Sequence, residues 1–195
     1  MGDWSHIQAN NWKYELTAPM TYEQANAVCV FSDSFYRMHK IIDMFFHKYR
    51  LNYEDWCKLI GDWWSSCDFT SLHKNTLKYL LNAPTPEMMD EEELNVYNAL
   101  PDTVTVYRGC GTKNKTGASW SLNKDVARKF PYFARYRADV PMLLTGRVKK
   151  ADIVAVKLGR NEQEVISFNV RRIKTEVLPK PSPNEWFPVF ETLAA

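Results

Sequence analysis

Apolar residues in the first hundred positions recur at spacings of three and four. Thr21 with Gln24 makes a capping box, and Val28, Phe31, Phe35, Met38, Ile42, Phe45 and Tyr49 then fall on one stripe, which predicts a single long amphipathic helix. Asn52 is placed to cap a second helix with Trp56, Leu59, Ile60, Trp63 and Trp64 on one face, and Ser71 opens a third through Leu77 and Leu81. Thr85 and Pro86 form a cap and first-turn pair ahead of a helix over 87–100, whose Glu91, Glu92 and Glu93 lie near enough its start to suit the helix dipole.

After Pro101 the period changes. Short β-branched or alternating stretches at 103–108, 119–122, 142–148, 153–158, 163–169 and 173–178 predict strands, interrupted by one helix over 124–136. Helices followed by strands argue for an α+β fold rather than an alternating α/β one. The expected organisation is a helical layer over 1–102 and a strand-rich core over 103–195, within one compact domain. No internal repeat, low-complexity tract or long linker is visible.

Composition narrows the class. The chain has 195 residues, 45% hydrophobic and 25% charged, with 7 Trp, 10 Tyr and 10 Phe, enough bulk to fill a core without disulfide staples and unlike collagen, coiled coil or disorder. No apolar run reaches the ~18 residues of a membrane span. The first residues lack the basic-then-apolar pattern of an export signal, so a cytoplasmic protein with no membrane partner is expected. Cysteines 29, 57, 67 and 110 and histidines 6, 39, 47 and 73 show no metal-ligand spacing; reduced, mostly buried cysteines and no bound metal are the expectation.

The net charge of +2 conceals a division. Residues 1–102 hold 8 Lys+Arg against 15 Asp+Glu, and residues 103–195 hold 17 against 8. A basic half can attract a nucleotide, a nucleic acid or an acidic protein; equally, the two halves can dock and cancel. The Trp56, Trp63 and Trp64 stripe reads as core packing, and His39 and His47, with no carboxylate or cysteine spaced to join them, receive no chemistry.

Glycines cluster only at Gly109-Cys110-Gly111, with Gly117 beyond. Asn114 stands at the third glycine position of a dinucleotide fingerprint, and five residues between Gly111 and Gly117, with Ala118 following, exclude a P-loop. No G-x-S-x-G elbow is present, and no histidine occurs in the second half to serve a serine nucleophile.

Three segments remain, in order: Tyr107-Arg108-Gly109 at a strand, Ser119-Trp120-Ser121 leading directly into the helix with Ala127 and Phe130, and Glu162-Gln163-Glu164-Val165-Ile166 after a further strand. Each alone is ordinary. An arginine in a strand is usually a surface charge, and two glutamates around Gln163 are usually a solvated edge. Together, over roughly 103–180, they resemble the arginine–serine–glutamate class of mono-ADP-ribosyltransferases of the cholera-toxin type, and most closely its compact bacterial and bacteriophage members. Trp120 stands where that family usually has Thr.

The resemblance implies a core of two packed, mainly antiparallel sheets around an NAD cleft, with NAD as co-substrate and a protein arginine side chain as acceptor, a nucleic-acid acceptor being a variant. It implies Glu164, Glu162 and Ser119 as catalytic residues and Tyr107, Arg108, Gly109, Ser119, Trp120, Ser121 and Phe130 around the cofactor. Tyr132 and Phe133 compete with Phe130 for the place against nicotinamide. In this scheme Glu162 deprotonates or orients the incoming guanidinium, Arg108 offers planar donors to the pyrophosphate or the adjoining ribose phosphate, and Ser119 holds Glu164. Independently of family, cleavage of a nicotinamide–ribose bond needs a carboxylate beside an oxocarbenium-like sugar, and Glu164 is the candidate. Glu162 and Glu164 at i and i+2 project to one side if the strand begins early enough. Two other readings remain: a binding module without turnover, whose basic surplus grips nucleic acid or an acidic protein, and an NAD glycohydrolase that shares the site.

Overall fold

A computed structural model describes residues 11–68, 70–133, 137–159 and 163–180. These form an α+β protein with seven α-helices and a six-stranded, wholly antiparallel sheet among the described residues. None of the helices is long and apolar enough to cross a membrane. The chain divides into two compact units: one runs to Leu81 and includes Thr85–Asp90, and the other comprises Asn82–Pro84 and the chain from Glu91.

The first unit holds α1 (Trp12–Glu15), α2 (Tyr22–Val30), α3 (Arg37–Phe46), α4 (Tyr53–Trp63) and α5 (Lys74–Leu80). The Thr21 capping box starts α2 as expected, with Gln24 N–H donating to Thr21 Oγ1 and Thr21 N–H to Gln24 Oε1. The single helix expected beyond it is broken. Asp33 Oδ1 accepts the N–H groups of Phe35 and Tyr36 at 2.9 and 3.0 Å, a local alternative to helical bonding that ends one helix and begins another. Phe31 and Phe35 consequently leave the core stripe and are 64% and 47% exposed.

Arg37 bridges the break. Its buried guanidinium donates to the carbonyls of Cys29 (2.9 Å), Ser32 (2.6 Å) and Ser66 (2.8 Å) and lies 4.4 Å over the Trp63 ring. Backbone carbonyls beside the break thus gain charge-assisted donors. The core beneath is Met38, Ile41, Trp56, Leu59 and Ile60, with Trp56 Nε1 donating to Ile41 O at 2.7 Å. Asn52 caps α4 through Asp55 N–H. The third helix begins at Lys74, after a 3-10 turn over Thr70–His73. Burial pushes the Cys29 and Cys67 thiols up to about 12, which leaves them protonated and weakly nucleophilic.

The helix expected over 87–100 is also divided. Pro86–Met88 is a 3-10 turn, Met89 is extended, and α6 spans Glu91–Ala99; the Thr85 side chain makes no cap bond. That α6 belongs to the second unit, against β4 (Ala155–Lys157). The other strands are β1 (Thr103–Cys110), β2 (Ser119–Ser121), β3 (Met142–Lys149), β5 (Glu164–Ile166) and β6 (Arg171–Val177), and α7 covers Lys124–Lys129 before a 3-10 turn over Phe130–Tyr132 ends it at Pro131, well short of residue 136.

The sheet order is β4-β5-β2-β1-β3-β6. The described strands therefore form one sheet where two are expected. It has two three-stranded halves joined at a single residue pair, Tyr107 with Ser121. Val104, Val106, Leu144, Val148, Trp120, Val165 and Val156 line its buried face by strand alternation.

In the helical unit, Gly61 lies against the Met88 backbone, where an added Cβ meets the Met88 carbonyl and Cα. Gly61→Ala is expected to lower stability by about 1–3 kcal/mol through overpacking. A urea titration with a lower midpoint and an unchanged slope is the expected reading.

Candidate functional site

The site is built on β2. Residues directly opposite in an antiparallel pair share a face, so the registers Tyr107 with Ser121, Ser121 with Glu164, and Glu164 with Lys157 set four side chains in a row across four strands. Glu164 is only 8% exposed in the centre of this row. Ser119, which the family resemblance pairs with Glu164, lies opposite Ile166; the hydroxyl residue facing Glu164 is Ser121. Ser121 Oγ accepts Asn123 N–H at 2.9 Å and lies 3.0 Å from the Asn123 carbonyl, and Asn123 Oδ1 caps α7 through Asp125 and Val126 N–H. The strand, the serine and the helix start are one hydrogen-bonded unit.

Trp120 points the other way. It is buried on the opposite face over Gly146, so it packs the core rather than joining the row. Arg108 also leaves β1 on that opposite side, one residue after Tyr107. Its Nε and Nη2 donate to Asn114 O at 3.2 and 3.0 Å, and Nη1 donates to Ser119 O. The guanidinium lies directly over Gly117, where a Cβ would collide with it. Asn114 Oδ1 in turn accepts Gly111 N–H at 2.8 Å. Arg108 and Asn114 therefore fold the 111–118 loop onto the joint between β1 and β2, and the structure does not set Arg108 in the Glu164 row.

Gly109 gives room for α7, since a Cβ there would meet the Ala127 carbonyl, Pro131 and Phe130. The helix covers a small cluster of Ala127, Leu143 and Leu178, with Tyr107 and Tyr132 packed against it. Tyr132 is tied down by donating its hydroxyl to Pro179 O at 2.7 Å, whereas Phe130 and Phe133 form an edge-to-face pair 5.5 Å apart. Cys110, next to Arg108, is buried, and burial raises its thiol pKa despite the opposing charges of Arg108, Lys115 and Arg172. It is not a ready nucleophile.

Glu162 lies outside the described residues. What the structure does show is that Gln163 has φ 44°, in the left-handed region, and that β5 begins only at Glu164. Among the described residues, strand alternation in β5 thus covers Glu164 to Ile166 alone. Gln163 O accepts Leu122 N–H at 2.9 Å, which pins this turn to the end of β2.

Sequence reasoning missed Lys157 and Glu93. Lys157 Nζ lies 2.6 Å from Glu93 Oε2, and Glu93 Oε1 accepts Leu158 N–H at 3.0 Å; the two side chains are 11% and 5% exposed. The available signal was a lysine inside the apolar run 153–158, and a glutamate four residues before the core-facing Tyr97 in α6. Lys157 stands directly across the strand pair from Glu164. Among the described residues, no group of three His, Cys, Asp or Glu side chains is arranged to hold a metal ion.

No family model matches the sequence, and no curated protein or solved structure matches it.

Loss of one member of a buried ion pair leaves the other unpaired. Lys157→Met is expected to cost about 3–5 kcal/mol in urea unfolding, and the double variant Glu93→Leu/Lys157→Met to recover most of that loss. Equal stability of the single variant and wild type would show that the pair is solvated.

Proposed function

We propose that this protein is an NAD-dependent mono-ADP-ribosyltransferase acting on arginine side chains of a protein. The observation that supports the reading best is the meeting, at one crossing of the sheet, of three segments far apart in sequence: Tyr107, Ser121 and Glu164. A nearly buried carboxylate beside hydroxyl-bearing residues suits a sugar that develops positive charge. The two-sheet core and NAD cleft of the resembling family belong to this proposal, and the single-pair joint between the halves of the sheet is compatible with them.

In the proposed reaction the bond between ribose C1 and the nicotinamide nitrogen breaks, its electron pair leaving with nicotinamide. Glu164 stabilises the oxocarbenium-like sugar, and a guanidinium nitrogen of the acceptor forms the new bond to C1. The proton released from that nitrogen passes to Glu162. Of the proposed cofactor set, Tyr107, Ser119 and Ser121 share the face of Glu164, and Gly109 lets α7 close on β1. Arg108 acts by holding the 111–118 loop and the Ser119 carbonyl, a positioning role in place of a direct grip on pyrophosphate.

That commitment of Arg108 to backbone carbonyls also favours a second reading, a fold of this type that binds without turnover. The two differ in the response to NAD. With an active transferase, labelled NAD and a cell extract give label on protein, and Glu164→Gln lowers the transfer at least ~10²-fold, the scale of one lost positioned electrostatic group. Label transferred equally by wild type and Glu164→Gln would falsify the proposal. Nicotinamide release without labelled protein identifies a glycohydrolase, and a thermal shift with NAD but no nicotinamide release identifies the module without turnover.

A further inference from the structure

Part of the positive charge of the second half is gathered on one part of one face of the sheet. Strands β1, β3 and β6 carry six Lys or Arg against a single acid, Glu176, which pairs with Arg128 at 2.9 Å; of the six, Arg108 leaves on the opposite face and Arg172 stands across from Gly146, and the other four are Arg147, Lys149, Arg171 and Lys174. The registers Thr105 with Arg147, Arg147 with Arg171, Thr103 with Lys149, and Thr145 with Lys174 put Thr103, Thr105, Arg147, Lys149, Arg171 and Lys174 on the same side of the sheet. All six are exposed. Arg147 and Arg171 stand directly opposite each other, an arrangement that opposes sheet formation unless an anion lies over it.

We infer that this open end of the sheet is a docking surface for the phosphate backbone of duplex DNA. The face offers cationic side chains interleaved with threonine hydroxyls, a donor set suited to phosphate oxygens. It lacks the apolar centre that a protein interface needs. It also lacks a stacking platform for single-stranded bases, because Tyr107, the aromatic residue of β1, is packed in the Leu143 cluster beneath α7. Duplex DNA presents the densest phosphate charge, about one per 1.7 Å of axis, to a broad basic surface. The contact is to the backbone, so binding is independent of base sequence and strongly dependent on salt. The inference does not depend on turnover at Glu164.

Fluorescence anisotropy of the full chain with a labelled mixed-sequence DNA duplex, over a series of salt concentrations, tests it. Arg147→Ala/Arg171→Ala is expected to weaken binding at low salt at least ~10-fold and to make the log–log salt slope shallower by about 2, one per lost phosphate contact. Arg147→Lys/Arg171→Lys retains most of the affinity. Lys58→Ala/Lys78→Ala, an equal charge loss on exposed positions of the helical unit, leaves affinity and slope unchanged. The Ala pair melts no lower than wild type, since it relieves a like-charge contact, so lost binding is not lost folding. Absent or salt-independent binding, an equal effect of the Lys58/Lys78 pair, tighter binding of single-stranded RNA, or equal competition by poly-glutamate would each overturn the inference; the last would point to an acidic protein.

Discussion

The arrangement rests on the register of a strand three residues long. β2 is the only bridge between the halves of the described sheet, and it sets Ser121 between Tyr107 and Glu164. A slip by one residue would turn Ser121 into the core and Trp120 into the row, because strand side chains alternate. So short a ladder does not hold its register by backbone pairing alone. Trp120 seats over Gly146, Arg108 holds the Ser119 carbonyl, Leu122 N–H bonds Gln163 O, and Ser167 N–H bonds Ala118 O at 3.0 Å. Each of these contacts fixes the same alignment from a different direction.

The polar interior follows from that alignment. Glu164 is nearly buried at a position where strand pairing places a lysine on one side and a serine on the other. Lys157 is itself held by Glu93, whose second oxygen is satisfied by a backbone N–H. An ion pair taken out of water is tolerated only when its remaining hydrogen-bonding capacity is met. Here α6, which packs against β4, supplies the carboxylate.

Much of the fold was legible because its signals are local. The Thr21 box, the Asn52 cap, six strands of alternating or β-branched residues and the helix after Ser121 all appear where periodicity and capping place them. The break at Asp33 was written in Ser32-Asp33-Ser34 but was masked by apolar spacing that runs straight through it. The row at Glu164 was legible only in part. Motif order brought the three segments together, but which serine faces the glutamate depends on cross-strand register, a non-local property. The roles of Arg108 and Trp120 depend on which side of a strand each one leaves, and the turn at Gln163 depends on a backbone angle with no glycine to announce it.

Register also explains how one face serves two environments. Lys174, Thr145, Tyr107, Ser121, Glu164 and Lys157 form a continuous line across all six strands. At the β1–β3 end of this face, Gly109 admits α7 and the Leu143 cluster is covered, while Thr103, Thr105 and Arg147 on the same strands remain open. The cover stops where cations begin: a helix laid further along β1 would bury Arg147 and Lys149 without carboxylates to meet them, at a cost that apolar packing does not repay. On β1 and β3 a covered apolar zone beneath α7 thus gives way to an uncovered basic one, and the pairing of these two strands sets where one ends and the other begins.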